Sequence, residues 1–272
     1  MAFITLNKTD EFDVYQRDEI KRSVSLVISL IDDFTKKEPI RPLNVLLEDG
    51  KIKPVKNLSG FYVFLNLKNS KNIVKIISEF YFPEDKTIVI PEFDGKGPAS
   101  GATNVKLKDV SDLQKGDIIA FHNINGNVEK KEITSINAKT KKISWTEELR
   151  YNFNAPDDEI LALKYLDTVI SLKPLPSYPF HNQATLIRGL LEDSHGNPIV
   201  GATVKITKLN IETKSYKKGE FVLYFNDIKN ERISIDIEKD RKNMKPANID
   251  LKDITLEEGV TRSLGKIYFY ED

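Results

Sequence analysis

Two segments of the chain, 159 residues apart, repeat the same pattern of turn residues and short apolar runs. Pro39 precedes Gly60 by 21 positions, and Pro198 precedes Gly219 by the same 21 positions. After each glycine comes an apolar run, and a further apolar run follows at 73–77 and at 233–237. An equal spacing of matching features indicates an internal repeat. We therefore predict two related β domains.

The chain between these turns has the pattern of β-strands. Ile233-Ser-Ile-Asp-Ile alternates apolar and polar residues with period two, which is typical of a half-buried strand. The 13 glycines and 12 prolines recur between such runs. Many short strands separated by turn residues predict an all-β fold of sandwiches or barrels.

Each repeat contains a strand that runs into a tight turn. In the second repeat the turn reads Asp-x-x-Gly-x-Pro-Ile, where glycine adopts a positive φ and proline presets φ in the residues that follow. The residues predicted to form structural turns are Asp33, Pro39, Gly60, Gly116, Asp117, Asp193, Gly196, Pro198, Gly201 and Gly219.

The segment 185–204, followed by Gly219-Glu-Phe, resembles the carboxypeptidase regulatory-like domain. The resemblance rests on the Asp-x-x-Gly-x-Pro-Ile, Gly-Ala-x-Val and Gly-x-Phe elements, which occur in that order. It implies a non-catalytic, prealbumin-like β-sandwich at the C-terminus. The first copy departs from the pattern, with Lys37-Glu38 where the second has Gly196-Asn197.

Between the repeats lies a third unit. The order Leu-x-x-Gly-Asp-x-Ile, strand, turn, strand resembles small SH3-like or Hint-like barrels, with Gly116 and Asp117 in its first turn. We predict two prealbumin-like β-sandwich domains flanking a small β-barrel. The predicted segments are an N-terminal arm at 1–20, a degenerate sandwich at 21–95, the barrel at 102–172 and the second sandwich at 183–272. Gly/Pro-rich linkers are expected at 94–101 and 173–180.

Composition excludes several kinds of site. With 41 basic and 41 acidic residues the formal net charge is zero, which argues against a dedicated nucleic-acid binder. The absence of cysteine removes disulfides, thiolate catalysis and cysteine metal sites. His122, His181 and His195 lack the spacing of metal ligands. We predict no catalytic residue, no metal site and no cofactor.

Two kinds of binding site remain as alternatives to purely structural roles. Asp157-Asp158-Glu159 groups hard oxygen ligands that suit calcium, although acidic residues at turns more often cap backbone groups. Aromatic residues at 80–82 and 268–270, together with Trp145, would suit a platform for sugars if they were exposed. Core packing is the competing interpretation for them, because most aromatic residues of the chain fall on strand patterns.

The function predicted is that of a non-catalytic structural or assembly protein. The N-terminus shows no signal-peptide pattern, so we expect synthesis in the cytoplasm. The sequence contains no apolar run of 18 residues, so we expect no membrane insertion. Sandwiches of the resembled family usually occur on secreted or surface proteins. A particle that is assembled in the cytoplasm and then released, such as a phage-tail-like or contractile injection particle, reconciles the two expectations.

Within such a particle the protein would be a baseplate, collar or tail accessory subunit with protein partners, in a homo- or hetero-oligomer. The apolar alternation of Phe3, Ile4 and Leu6 predicts an arm that adds a strand to a neighbour's sheet. The alternative is a cell-surface adhesive or carbohydrate-binding β-sandwich protein.

Overall fold

The computed structural model describes residues 24–47, 52–57, 59–65, 67, 71–226, 228, 230–240 and 242–269. The predicted arm at Phe3, Ile4 and Leu6 lies outside the described residues. The chain divides into two compact units, each described by itself below. The first comprises the described residues up to Ile31 together with Leu43–Ile77 and Pro83–Ser171, and the second comprises Asp32–Pro42, Ser78–Phe82 and the described residues from Leu172 onward.

The described ranges consist of strands joined by turns, which confirms the predicted all-β fold class. The strands as far as Leu172 are β1 (Val24–Asp32), β2 (Leu43–Leu47), β3 (Val55–Lys56), β4 (Tyr62–Leu65), β5 (Lys71–Ser78), β6 (Glu84–Val89), β7 (Asn104–Lys106), β8 (Ile118–His122), β9 (Val128–Glu132), β10 (Ser135–Asn137), β11 (Lys142–Ser144), β12 (Glu159–Ala162) and β13 (Thr168–Leu172). The later strands are β14 (Thr185–Asp193), β15 (Thr203–Ile206), β16 (Ile211–Lys214), β17 (Glu220–Phe225), β18 (Glu231–Ile233), β19 (Asp236–Lys239), β20 (Lys242–Met244), β21 (Ile254–Leu256) and β22 (Thr261–Phe269). Short 3-10 helices occupy Leu163–Leu166 and Thr207–Leu209.

Two sheets of the first unit are built from the N-terminal strands. Their strand orders are β13-β1-β4-β3 and β2-β5-β6. In β5, Asn72, Val74 and Ile76 are buried while the residues between them are more exposed, as the period of a strand with one buried face requires. Leu26 and Phe64, from β1 and β4, are fully buried on the other sheet.

The middle segment, predicted as a barrel at 102–172, forms two separate three-stranded antiparallel sheets, β10-β11-β7 and β12-β8-β9. The hydrogen-bonded ladder does not close on itself in the described residues, so the barrel prediction is corrected to a pair of small sheets. Phe121 is fully buried and packs against Trp145 and Phe153, at ring-centroid distances of 5.1 and 5.5 Å. These three aromatic rings form a core for the two small sheets.

The last strand of the predicted barrel belongs elsewhere. β13 lies beside β1 in the N-terminal sheet, although some hundred residues separate the two strands in sequence. The strands β7 to β12 are therefore inserted between β6 and β13 of the first sheet pair. The sequence pattern had suggested domains in linear order, because each strand was assigned to its neighbours along the chain.

The second unit has the core of a β-sandwich. Its larger sheets have the orders β17-β14-β22 and β16-β15-β19-β20, and β18 pairs with β21. Both large sheets contribute to one core: Ile187 and Phe221 come from the first, and Val204 and Ile237 from the second. Two sheets that share a core in this way form a sandwich. β22 runs parallel to β14, whereas β17, on the other side of β14, runs antiparallel to it.

The repeat seen in the sequence corresponds to a repeated strand order. β1 pairs with β4 as β14 pairs with β17, and β13 lies beside β1 as β22 lies beside β14. The order β2-β5-β6 is matched by β15-β19-β20. The copies differ in two respects: β3 pairs with β4, whereas β16 pairs with β15, and the pair β18–β21 has no counterpart among the described strands of the first copy. Most of the pairing is thus shared by the two copies.

Both predicted linkers are held at particular residues. In the first, Pro98 is buried and its carbonyl accepts a hydrogen bond of 2.9 Å from the backbone N–H of Phe153, while most residues of 94–101 are exposed. In the second, Leu175 and Tyr178 are buried. The domain boundaries inferred from them concern independent folding and remain predictions.

Among the glycines of the second unit, Gly219 is the one at which an added side chain would clash most severely with the backbone. Its φ is +78°, and a Cβ there would lie 2.3 Å from the carbonyl oxygen of Leu191. Gly196 has a similar φ of +80° but open space around it. We expect Gly196→Ala to cost about 1 kcal/mol, for the left-handed backbone alone. Gly219→Ala should cost about 3 kcal/mol, because backbone atoms must also shift.

Chemical denaturation of both variants measures this difference. Equal loss of stability in Gly219→Ala and Gly196→Ala would contradict the close approach of Gly219 to the backbone of β14.

Candidate functional site

A buried carboxylate organises the second unit. Asp32 ends β1 and is 0% exposed. Its Oδ1 accepts hydrogen bonds from the backbone N–H groups of Phe34 (2.8 Å) and Thr35 (2.9 Å). Its Oδ2 accepts the hydroxyl hydrogens of Tyr81 (2.7 Å) and Tyr178 (2.5 Å). Four donors thus surround one carboxylate, which compensates for its removal from water. We call Asp32, Tyr81 and Tyr178 the carboxylate hub.

The hub joins three pieces of chain that are far apart in sequence. Tyr81 also accepts a hydrogen bond of 2.9 Å from the backbone N–H of Ile40, and its ring lies 5.6 Å from that of Tyr178. Backbone hydrogen bonds run beside the side chains: the N–H of Asp33 donates to Leu172 (3.0 Å), and that of Leu175 donates to Phe80 (2.8 Å). The side-chain and backbone bonds together fix the positions of all three pieces.

The two tyrosines of the hub are held in their protonated form. Burial raises the pKa of the Tyr81 and Tyr178 phenols, and the hydrogen bonds to the Asp32 carboxylate raise the pKa of both groups further. A phenol that donates to a carboxylate must keep its proton, since a phenolate would face a like charge. These side chains therefore act as stable donors and not as acids.

An aromatic cluster lies next to the hub. The ring of Phe34 is 5.0 Å from that of Phe180, 5.4 Å from that of His181 and 5.8 Å from that of Tyr224. The Tyr224 hydroxyl donates to the Asp33 carboxylate, and burial and this bond raise the pKa of Tyr224. The turn that follows β1 is thus anchored to β17 as well as to the hub.

Beside this cluster the surface forms a depression of about 690 Å³. Polar side chains of several chemical types surround it, together with the rings of Phe34 and His181. The polar members are Lys36, Gln183, Asn226 and Glu258. Asn226 donates from Nδ2 to the carbonyl of Phe34 at 3.0 Å, and its side-chain oxygen can act as an acceptor. We call this feature the polar depression.

The other buried carboxylates also serve the fold. Glu129 accepts from the backbone N–H groups of Arg150 (2.7 Å) and Tyr151 (2.8 Å). Asp158 accepts from two backbone N–H groups, one in the β8–β9 turn at 3.0 Å and one three residues before it at 2.8 Å. Glu192 forms an ion pair of 2.9 Å with Lys266. Each of these carboxylates holds a loop or a neighbouring strand in place.

The predicted turn glycines have the left-handed backbone that the turns require. The φ values are +86° at Gly60, +93° at Gly116, +80° at Gly196, +76° at Gly201 and +78° at Gly219. Positive φ costs glycine nothing, because it has no Cβ.

The predicted turn aspartates bond as follows. Asp193 accepts hydrogen bonds from the backbone N–H groups of His195 (2.9 Å) and Asn197 (2.8 Å). The hydrogen bond from the Asn197 side chain lowers the pKa of the Asp193 carboxyl most, and the two backbone bonds lower it further. Asp117 accepts the N–H of Gln114 at 2.8 Å. In the first copy the structure assigns this capping role to Asp32, one residue earlier than the predicted Asp33.

The remaining predicted turn residues are the two prolines. Pro39 is buried beside the turn that Asp32 caps, and Pro198 forms an isolated bridge with Glu192.

The aromatic residues considered for sugar binding are buried or partly buried where the structure describes them. Tyr81 is fully buried in the hub, Trp145 is 4% exposed and Phe269 is 2% exposed. The ring of Phe82 packs against Tyr216 at 5.6 Å. Core packing, the competing interpretation, is therefore correct for these residues, while Tyr270 lies outside the described residues.

The histidine and calcium candidates are dispersed. His181 and His195 are exposed, and burial lowers the pKa of the partly buried His122. Asp158 belongs to the acidic triplet considered for calcium, and each of its carboxylate oxygens accepts a hydrogen bond from a backbone N–H group. Within the described ranges no group of three or more histidine, cysteine or acidic side chains is placed to hold a metal ion. No helix of the described part is long and apolar enough to cross a membrane.

Sequence reasoning missed the hub, although parts of its signal were visible. The sequence predicts a turn at Asp33, and it places Tyr81 in an aromatic cluster and Tyr178 in a Pro-rich linker. A tyrosine within a Pro-rich connection is a usable signal, because its hydroxyl needs a partner once the ring is buried.

Comparisons with known proteins give the following. No family model matches the chain, and no curated protein is significantly similar to it in sequence. Among solved structures, a streptococcal ancillary pilin matches with 11% identity and a TM-score of 0.23, over 59% of this chain and 64% of the pilin. BcpA, the major pilin subunit of Bacillus cereus, matches with 10% identity and a TM-score of 0.22, over 93% of this chain and 100% of BcpA. The Bacillus anthracis TIE protein matches with 12% identity and a TM-score of 0.18, over 92% of this chain and 51% of TIE. These TM-scores are low.

Tyr178→Phe removes one donor from the hub and leaves the ring in place. We expect it to lower the free energy of unfolding by about 1–2 kcal/mol. Asp32→Asn should cost about 3 kcal/mol or more, because an amide N–H₂ then faces groups that are themselves donors. Tyr268→Phe, on the partly exposed β22 of the same unit, serves as the matched control and should change stability little. Urea denaturation measures all three. A loss in Tyr178→Phe no larger than in the control would contradict the hub.

The raised tyrosine pKa values predict the response to alkali. The phenols of Tyr81, Tyr165, Tyr178 and Tyr224 have a raised pKa in the folded protein, whereas an unfolded tyrosine titrates near pH 10, at about its ordinary pKa. Above about pH 10 the unfolded state therefore binds fewer protons, so the stability contributed by these groups falls as pH rises further.

Absorbance of tyrosinate during an alkaline titration checks this expectation. Of the ten tyrosines, these four should ionise only when the protein unfolds. A titration in which all ten ionise near pH 10 while the protein remains folded would show that the four hydroxyls are not buried donors.

Proposed function

We propose that this protein is a non-catalytic structural protein whose β units present surfaces for attachment. The observation that carries the proposal is the use made of its buried carboxylates. Asp32, Glu129 and Asp158 each accept at least two hydrogen bonds from the fold, and Glu192 is paired with a lysine.

A general acid, base or nucleophile must reach its substrate and change its bonding during the reaction. Asp32 meets neither requirement: it is enclosed and already accepts four hydrogen bonds. Releasing a buried charge from such partners is costly. These carboxylates consequently support a structural role, in which polar groups fix loops and relative strand positions.

Two finer forms of this role were predicted from the sequence. In one, the protein is a subunit of a phage-tail-like or contractile injection particle and docks through its N-terminal arm. In the other, it is a surface adhesive or carbohydrate-binding protein. We favour the second, because the polar depression is a surface feature with the chemistry that a saccharide needs.

A saccharide presents hydroxyl groups that both donate and accept hydrogen bonds. Around the polar depression Gln183 offers both roles, while Glu258 and the side-chain oxygen of Asn226 accept. Within the described part of the chain no hydrogen bond occupies the side chains of Gln183 or Glu258. The rings of His181 and Phe34 give the depression an apolar portion, as ligand sites generally have.

A glycan array with the full chain tests the adhesive form. Gln183→Ala and Glu258→Ala should each weaken binding to a captured glycan about tenfold, since each removes a hydrogen-bonding group from the depression. Glu257→Ala, the neighbouring exposed glutamate, is the control and should bind as the unaltered protein does. Binding that is insensitive to both substitutions would place the sugar elsewhere.

Light scattering tests the assembly form. If the N-terminal arm mediates assembly, the full chain should form oligomers at rising concentration, and a chain lacking residues 1–8 should remain monomeric with an unchanged melting temperature. A protein that binds no glycan and forms no assembly in either assay would contradict the proposed function as a whole.

A further inference from the structure

A basic depression lies on the sheet β10-β11-β7 of the first unit. Its volume is about 590 Å³, and four lysines line it: Lys106, Lys139, Lys141 and Lys142. Asp94 is the acidic side chain of the lining. Because the whole chain has a formal net charge of zero, this concentration of lysines is a local feature and does not follow from the composition.

Two of the lysines are placed against the usual rule for sheets. Lys106 on β7 lies directly opposite Lys142 on β11. Like charges directly opposite each other destabilise a strand pair. Asp94 compensates Lys106 through an ion pair of 2.7 Å. Among the described residues no acidic side chain lies within ion-pair distance of Lys142 or Lys139.

The turn that presents these lysines also has an unfavourable backbone. Lys141 has a φ of +54°, in the left-handed region where glycine or asparagine is preferred. Its Nζ donates to the carbonyl of Lys108 at 2.8 Å, which fixes the ammonium group at the edge of the depression. A like-charged cross-strand pair and a left-handed lysine are therefore adjacent at the start of β11, and such local conflicts concentrate at functional sites.

The charges of the depression are only partly neutralised. Lys106 is paired with Asp94, and the adjacent Lys108 is paired with Glu92. Lys139, Lys141 and Lys142 have no such partner among the residues described. The positive charges of the nearby lysines lower the pKa of the Asp94 carboxyl. The bond to Lys106 lowers it most, and the charges of Lys141 and Lys108 lower it further.

We propose that this basic depression binds a linear polyanion that carries repeated phosphate groups. Lysine binds phosphate as a point charge. The ammonium groups of Lys139, Lys141 and Lys142, at the β10–β11 turn and the start of β11, have no ion-pair partner among the described residues and can contact successive oxyanions of one chain. The Thr140 hydroxyl and the Asn104 amide add neutral donors to the lining. The lining has no aromatic side chain on which bases would stack, so a phosphate chain without bases fits better than a single-stranded nucleic acid.

This binding site is independent of the proposed structural role. It involves none of the residues of the carboxylate hub or the polar depression, so the two proposals fail separately. Because the lysines are exposed, the affinity should fall steeply as salt concentration increases.

The experiment uses the full chain and long-chain inorganic polyphosphate as the probe, measured by calorimetry at low salt. The charge-reversal variant Lys139→Glu/Lys142→Glu should bind at least tenfold more weakly. Lys53→Glu/Lys115→Glu changes two exposed lysines of the same unit and gives the same net charge, so it is the matched control. The control should lose less than threefold.

The proposal is overturned if the unaltered protein binds no polyphosphate or if the control variant loses binding equally. It is also overturned if a single-stranded DNA of equal charge binds more tightly than polyphosphate. The neutral variant Lys139→Gln/Lys142→Gln, which avoids new acidic groups, must reproduce the direction of the loss with an unchanged melting temperature. Heparin in a parallel titration distinguishes the sources of the ligand: weaker binding of this sulfated sugar polymer supports a phosphate ligand, and tighter binding overturns it.

Discussion

The buried carboxylate of Asp32 is the interaction on which the second unit depends. It accepts hydrogen bonds from Tyr81, from Tyr178 and from two backbone N–H groups of its own turn. The segments 32–42 and 78–82 are short, and they belong to the same compact unit as the chain from Leu172 onward. A buried charge demands partners, and here the partners come from all three pieces. The hub thereby specifies which segments pack together.

The all-β class and many of the strands were predictable from the sequence, and the nesting of the chain was not. Turn residues with fixed backbone geometry mark where strands begin and end, and the 21-residue spacing from Pro39 to Gly60 and from Pro198 to Gly219 indicated two related β units, whose strand orders share most of their pairings. The pairing of β13 with β1 spans the whole inserted segment. Strand periodicity tells which residues are buried but does not identify a distant partner, so the insertion was missed.

The candidate sites were less predictable than the fold for the same reason. The hub and the polar depression are assembled from residues that lie far apart in the chain, and no local motif joins them. Tyr81 had been considered as an exposed platform, but the ring is buried because its hydroxyl finds Asp32 and the backbone N–H of Ile40. Lys139, Lys141 and Lys142 are close together in sequence, yet only the register that sets Lys106 opposite Lys142 adds the fourth lysine to the same charged surface.

Hydrogen exchange under increasing denaturant tests the central claim most directly. If the hub unites three pieces of chain, the amides of Phe34, Thr35 and Leu175 should be protected as strongly as those of β14. All of them should lose protection at the same denaturant concentration, as one cooperative unit. Rapid exchange in 32–42 and 78–82 while β14 remains protected would show that these segments are attached loosely, and it would contradict the organising role assigned to Asp32.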